Sequence, residues 1–264
     1  MSPPKSLALW ELSWPQVELA LDQGFRRVIF ALGATEQHGP HLPLTVDTAI
    51  GTDLCLRVAH ELGQTLVAPT VHVGCSEHHM HFPGTLSVRA ETLEAVVTDY
   101  VTSLTRHGFT EILIVPSHGG NFRPLEDMLP RLVATAKEGV AERSARVQAF
   151  TELVTLMTTW RQAIDDAGGK ASNVGGHADI AESSIMLTLT PHLVDEHAAE
   201  KGYMGDITDE ALGRIIQDGL QSVTANGILG DARGMSADLG AACQSAVATV
   251  IADSFRDAQS DTPQ

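Results

Sequence analysis

Four apolar runs, each only as long as a strand, alternate in this sequence with longer stretches of helical periodicity. They are RVIFAL at Arg27–Leu32, TLVAP at Thr65–Pro69, EILIVP at Glu111–Pro116 and ARVQAFT at Ala145–Thr151. Runs this short, rich in Val and Ile and bounded by turn residues, read as buried strands. Helical patterns occupy Ser13–Gln23, Thr48–Leu62, Glu91–His107 and Phe122–Lys137, and the last three stop at or near Gly63, Gly108 and Gly139. The alternation predicts an α/β fold with a mostly parallel sheet and helices on both faces. The second half reads as more helical: Glu152–Ala167, Ala178–Leu189, and two helices around Thr208–Ala225 and Ser236–Phe255. A glycine-rich loop, GGKASNVGGH, precedes the second of these helices. No linker or repeat interrupts the pattern, so residues 1–264 read as one domain, with only the first few residues and the tail DAQSDTPQ as disordered ends.

Charge narrows the function. Seventeen basic and 33 acidic side chains give a net charge of −16, the wrong sign for gripping nucleic-acid phosphates or an anionic membrane. Three cysteines without a CxxC pair suit a reducing cytoplasm. The N-terminus lacks the apolar core of a signal peptide, and no run is long enough to span a membrane. Seven of the 12 histidines fall between His38 and His81, which directs attention to metal.

In a parallel sheet, ligands gather beyond the carboxyl ends of the strands. The loops after the first three strands, Gly33–Asp47, Thr70–Arg89 and Ser117–Asn121, hold nearly all the unusual polar residues of the first half. Glu36 and His38 are two apart, so both face one way in an extended segment. Asp47 returns a carboxylate at the next helix start. An imidazole with two carboxylates suits zinc, manganese or iron; the alternative is a helix-capping Asp with a surface Glu and His. His118, in SHGGN, points from the third strand toward the same crevice. Further on, GGHADIAESS delivers His177 to a helix start and sets Glu182 in an apolar helix, where an unpaired carboxylate is costly unless it faces solvent or a metal.

These segments, with the loop SEHHMHFPGTL at Ser76–Leu86, together resemble the creatininase (creatinine amidohydrolase) family from about Leu9 to Arg233. The resemblance implies a three-layer α/β/α sandwich and a binuclear metal amidohydrolase that cleaves a non-peptide amide C–N bond of a small molecule, a cyclic amide or a formamide. It implies two divalent ions, zinc foremost with manganese or iron as alternatives, and a hydroxide bridging them. Glu36, Asp47 and His118 would hold one ion. His38, Asp47 and Glu182 would hold the other, with Asp47 shared. His177 would be the catalytic proton-transfer residue, chosen because an ordinary imidazole titrates near neutrality. A homo-oligomer, often a hexamer in the family, is also implied.

Two positions depart from creatininase proper: Gly119 and Gly120 stand where it has Tyr-Glu, and Asp179 stands where Gly is common. Asp179 either binds a cationic substrate group or caps the helix. Ser76, Glu77 and His78 are candidates for touching substrate, with at most one of His78, His79 and His81 lining the pocket. His41 is a candidate for orienting a ligand. Cys75 and Ser117 lack a nucleophile's setting, and the late segment from Gly230 to Gly240 reads as a structured turn and a candidate subunit contact. Alternative functions are a peptidase trimming a short precursor of the mycofactocin-maturation type, a carbon–carbon hydrolase acting on a keto-sugar ring, and a metal-stabilised scaffold. Carboxylate-rich donors favour catalysis over the cysteine-rich sites of structural zinc.

Overall fold

A computed structural model describes residues 4–260; the first three residues of the chain and the last four of the tail lie outside the described residues. The strands β1 (Arg27–Leu32), β2 (Thr65–Val67), β3 (Glu111–Pro116) and β4 (Arg146–Ala149) form one sheet in the order β2-β1-β3-β4. All three pairings are parallel. Strand alternation sorts the core. Ile29, Ala31, Leu113 and Val115 join one cluster, and Val28, Phe30, Leu32, Ile112 and Ile114 join the other.

The α-helices are α1 (Trp14–Asp22), α2 (Val46–Leu62), α3 (Ala90–His107), α4 (Phe122–Glu138), α5 (Leu153–Asp166), α6 (Ile180–Leu189), α7 (Asp209–Asp218) and α8 (Ala237–Ser260), and all but α7 contribute to the cores on the two faces. Leu54 and Val58 of α2, Ile164 of α5, Ile185 of α6 and Ile251 of α8 cover the first face. Ala20 of α1, Val97 of α3 and Leu125 of α4 cover the second. This is the expected three-layer α/β/α arrangement. Because α2 leaves β1 on one face and α4 leaves β3 on the other, the loops that follow these neighbouring strands part. A crevice opens beyond their carboxyl ends, as at other topological switch points.

Three elements differ from the sequence expectation. The glycine-rich segment before α6 is not a loop throughout: β5 (Val174–His177) pairs antiparallel with β6 (Leu229–Gly230). Two glycines in four residues hide this strand from propensity. The helix expected over Thr208–Ala225 ends at Asp218, where Gly219 turns the chain at φ 86° and a short 3₁₀ turn follows. In the tail, Asp257–Ser260 continue α8 rather than fray.

The contact of α6 with α8 bears on function because α6 carries Glu182. A Cβ on Gly240 would sit 2.0 Å from the Ser184 carbonyl oxygen. Helix propensity alone makes Gly→Ala favourable by about 1 kcal/mol, whereas overpacking a rigid backbone contact costs about 1–3 kcal/mol. The clash involves backbone and wins: Gly240→Ala is expected to lower stability in denaturant melts, and a more stable variant would contradict this packing.

Candidate metal centre

Each clustered side chain is delivered by a distinct piece of the fold. Glu36 and His38 leave the end of β1, Asp47 lies in the first turn of α2, His118 follows β3, and Glu182 lies in the first turn of α6. His177 ends β5. Asn121 ties the loops together: its amide nitrogen donates to the Leu32 and Gly33 carbonyls, and its oxygen accepts from the Cys75 N–H, all at 3.0 Å. Ser117 Oγ donates to the Asp47 carbonyl at 2.8 Å, fastening the start of α2 to the end of β3. The sequence gives no sign of these two ties, since neither side chain belongs to a metal-ligand pattern.

The donor atoms converge in three overlapping groups, each with its atoms within 4.8 Å of one another: Glu36–His38–His177, and two that share Asp47, Glu36–Asp47–His118 and His38–Asp47–Glu182. His118 Nδ1 lies 3.3 Å from Glu36 Oε1 and 3.4 Å from Asp47 Oδ2. His38 Nε2 lies 3.6 Å from Asp47 Oδ1 and 3.7 Å from Glu182 Oε2. One oxygen of Asp47 thus faces each of the two groups that share it. These separations exceed a hydrogen bond. They match the edge of a coordination tetrahedron, which is roughly 3.3–3.6 Å for donors about 2.0–2.2 Å from an ion. Both Glu36 oxygens, Asp47 Oδ2 and His38 Nε2 are buried with no hydrogen-bond partner, and orphaned donors aimed at common points fit bound cations.

The outward nitrogens of the two ligand-type histidines are occupied. His38 Nδ1–H donates to the Glu36 carbonyl at 3.2 Å, and His118 Nε2–H donates to the Cys75 carbonyl at 3.1 Å with Ser76 Oγ at 3.2 Å. The lone pairs of the inner nitrogens therefore face the carboxylates once the ring protons leave. In the absence of ions the carboxylates recruit protons instead. Burial opposes a charge on His38, but Asp47, Glu182 and Glu36 raise it to about 9. His118 is raised well above its ordinary value against the same burial, by Glu36 and Asp47. Asp47 is held low despite burial by His38 and His118. Burial pushes Glu182 up to about 8, His38 opposing and Asp47 and Asp179 adding to the rise.

Beside the ligands, His177 Nδ1 lies 3.8 Å from Glu36 Oε1. Burial, followed by the charge on His38, lowers it well below the ordinary imidazole value. The near-neutral titration expected from sequence is corrected accordingly: His177 stands as a neutral base. Among the residues expected near substrate, Asp179 caps α6, its oxygens accepting from the N–H groups of Gly175, Gly176, Ala181 and Glu182. That leaves it no free direction for a substrate cation. Ser76 is buried against His118, Glu77 is exposed, and His78 stacks on the His118 ring at 5.7 Å. His79, not His78, is the histidine of this loop turned into the cluster, with Nε2 3.5 Å from Glu36 Oε2. His41 Nε2 lies 2.7 Å from Ser183 Oγ, bracing the residue next to Glu182.

A narrow cleft of about 40 Å³ adjoins Glu182, lined by Phe122, Leu156, Met157, Trp160, Gly119 and Gly176. A wider groove of about 480 Å³, lined by Trp10, Ala49, Leu56, Pro69 and Leu189 among others, includes none of the clustered side chains. No side chain fits at Gly120 without a rearrangement: a Cβ there would lie 2.2 Å from the Cys75 carbonyl oxygen and 2.5 Å from His118 Nε2.

The creatininase family (Creatinine amidohydrolase) matches residues 10–255. The chain belongs to the creatininase family. It is 30% identical over 203 residues to the creatinine amidohydrolase of Pseudomonas putida, covering 72% of this chain and 75% of that protein. It is also 30% identical over 212 residues to the mycofactocin precursor peptide peptidase of Mycobacterium ulcerans (strain Agy99), covering 77% and 74%. A more distant relative, the 3-dehydro-scyllo-inosose hydrolase of Thermotoga maritima, is 25% identical over 178 residues, covering 65% and 53%. Among solved structures, a creatinine amidohydrolase (creatininase) superposes with a TM-score of 0.79 at 26% identity, covering 98% and 100% of the two chains. Creatininase structures of Zn-Zn and Mn type superpose with TM-scores of 0.76. These creatininase-family relatives are hydrolases, and this chain is a hydrolase of that family. No helix among the described residues is long and apolar enough to cross a membrane.

Proposed function

We propose that this creatininase-family protein is a two-ion hydrolase of a non-peptide amide C–N bond, a cyclic amide or a formamide, in a small molecule. The observation that carries the reading is the Asp47 carboxylate, with one oxygen 3.6 Å from His38 and the other 3.4 Å from His118. Glu36, Asp47 and His118 would hold one ion, and His38, Asp47 and Glu182 the other. Zinc is the first choice, with manganese or iron as alternatives; the zinc and manganese forms of related creatininases support it. When bound, two neighbouring cations supply hydroxide near neutral pH and polarise a carbonyl oxygen.

The rest falls to the protein. His177 offers Nδ1 toward the cluster, takes a proton from the attacking water and returns it to the departing nitrogen. The apolar side chains of Phe122, Leu156, Met157 and Trp160 beside Glu182 keep that side of the cluster away from bulk water. The peptidase reading stays as the second reading because of the relative that trims a mycofactocin precursor. The carbon–carbon reading rests on the inosose hydrolase, of which the chain covers only 53%. Free Cys55, Cys75 and Cys243 support a cytoplasmic setting, and the family resemblance supports a homo-oligomer.

The test is metal removal followed by a substrate panel of creatinine, small formamides, short peptides and a keto-cyclitol. Chelation is expected to abolish turnover of a small amide and zinc or manganese to restore it. Full turnover by metal-free protein would overturn the reading, and cleavage of peptides alone would replace it with the peptidase.

A further inference from the structure

Gln37 lies between the two ligand-type residues Glu36 and His38 and faces away from them, toward two histidines outside the proposed ligand set. Its amide is oriented by two unambiguous backbone partners. Oε1 accepts from the Gly39 N–H at 2.9 Å, and Nε2 donates to the Gly227 carbonyl at 3.1 Å. The close approach depends on Gly227, where a Cβ would meet Oε1 at 2.0 Å. Gln37 Nε2 also lies 3.0 Å from His79 Nδ1 and 2.9 Å from His177 Nε2, and the Gln37 carbonyl lies 2.9 Å from His177 Nε2.

The amide nitrogen has two hydrogens and three neighbours, so the hydrogen-bond inventory decides the ring protons. One hydrogen goes to the Gly227 carbonyl. If the second goes to His79 Nδ1, His177 is free to donate its Nε2–H to the Gln37 carbonyl, and every group is satisfied. If the second goes to His177 instead, His79 Nδ1 faces a donor it cannot use and the Gln37 carbonyl loses its donor. The first arrangement makes both rings Nε2–H tautomers turned opposite ways. His177 presents the bare Nδ1 to the cluster, and His79 presents Nε2–H. The ring centroids are 4.6 Å apart, and both side chains are buried.

We propose that Gln37 is a positioning residue that sets this opposed pair, and that His79 is a catalytic residue whose Nε2–H donates a hydrogen bond to the substrate's carbonyl oxygen. The chemistry rests on the hydrolase reading above; the ring protonation does not. Water adds its oxygen to the carbonyl carbon as His177 Nδ1 takes its proton. The carbonyl oxygen, gaining the electron pair, is held by the His79 donor, which keeps its own proton. The C–N bond then breaks as His177 returns its proton to nitrogen, giving acid and amine from amide and water.

The test uses the full-length zinc-loaded protein with nitrogen-labelled histidine. Ring-nitrogen NMR shifts are expected to place the proton of both His79 and His177 on Nε2. Gln37→Glu, which replaces the donor with an acceptor, should move the proton of His79 to Nδ1 and leave His177 unchanged. His79→Leu should lower kcat by about 10²-fold, the loss typical of one oxyanion donor, with zinc content intact. His79→Gln, which returns an N–H near the Nε2 position, should recover most of the loss. The effects of Gln37→Glu and His79→Leu should fail to add, because both remove the same donor. A proton on His79 Nδ1 in the unmodified protein overturns the assignment of Gln37. Unchanged kcat in His79→Leu, or loss of zinc from it, overturns the role of His79. A protein that hydrolyses no amide removes the amide-hydrolase reading and with it the catalysis by His79, while the ring shifts still decide what Gln37 does.

Discussion

Asp47→Ala is expected to lose both ions and all measurable turnover while keeping the fold. Its two oxygens face the two donor groups separately, so each group loses one of only three protein donors. The isosteric Asp47→Asn controls for packing: it fills the same space but has one acceptor oxygen and no charge, and is expected to hold fewer ions than the unmodified protein. Elemental analysis of the dialysed variants reads the effect directly, and circular dichroism reports the fold. The side chain is buried at the sheet's carboxyl edge, so its removal acts on the cluster and leaves both hydrophobic layers in place. Full ion content and rate in Asp47→Ala would show that Asp47 is not shared between two sites.

His177→Ala makes the opposite split. It should keep the two ions that share Asp47, since neither of those donor groups includes His177, which groups only with Glu36 and His38, and lose turnover by about 10²–10⁴-fold, the usual worth of general acid–base help. The pH profile separates this role from a packing defect. Burial, then the His38 charge, holds His177 well below the ordinary imidazole value. A base must be unprotonated to act. The acid limb assigned to it therefore lies below pH 6.5, and activity persists on descending through that value. In His177→Ala the residual rate should lack that limb. A variant that loses its ions with its activity, or a limb that survives the substitution, would remove His177 from proton transfer.

Much of the fold could be read from local pattern because local pattern determines it. The buried strands are β-branched runs with no competing helical period, and glycine punctuates the helix ends at Gly63, Gly108 and Gly139. β5 escaped because its sequence, VGGH, has no strand propensity; pairing with β6 and the Asp179 cap at its end hold it in place. The ligand-type residues could be picked out by chemical type and by their position after strands, although no spacing rule pairs Asp47 with Glu182 across 134 intervening residues. The roles of Asn121, Ser117 and Gln37 could not be read. Each acts through backbone groups from distant loops, and the identity of such partners depends on tertiary contact alone. The same holds for His79: adjacent histidines on a 3₁₀ turn point in different directions, and only the turn's placement decides which one enters the cluster.

Anomalous diffraction from crystals soaked in zinc tests the shared carboxylate most directly. The account predicts two peaks a few ångströms apart, one about 2 Å from Glu36, Asp47 and His118 and the other about 2 Å from His38, Asp47 and Glu182, with a different Asp47 oxygen on each. A single peak, or two peaks that share no Asp47 contact, would contradict it.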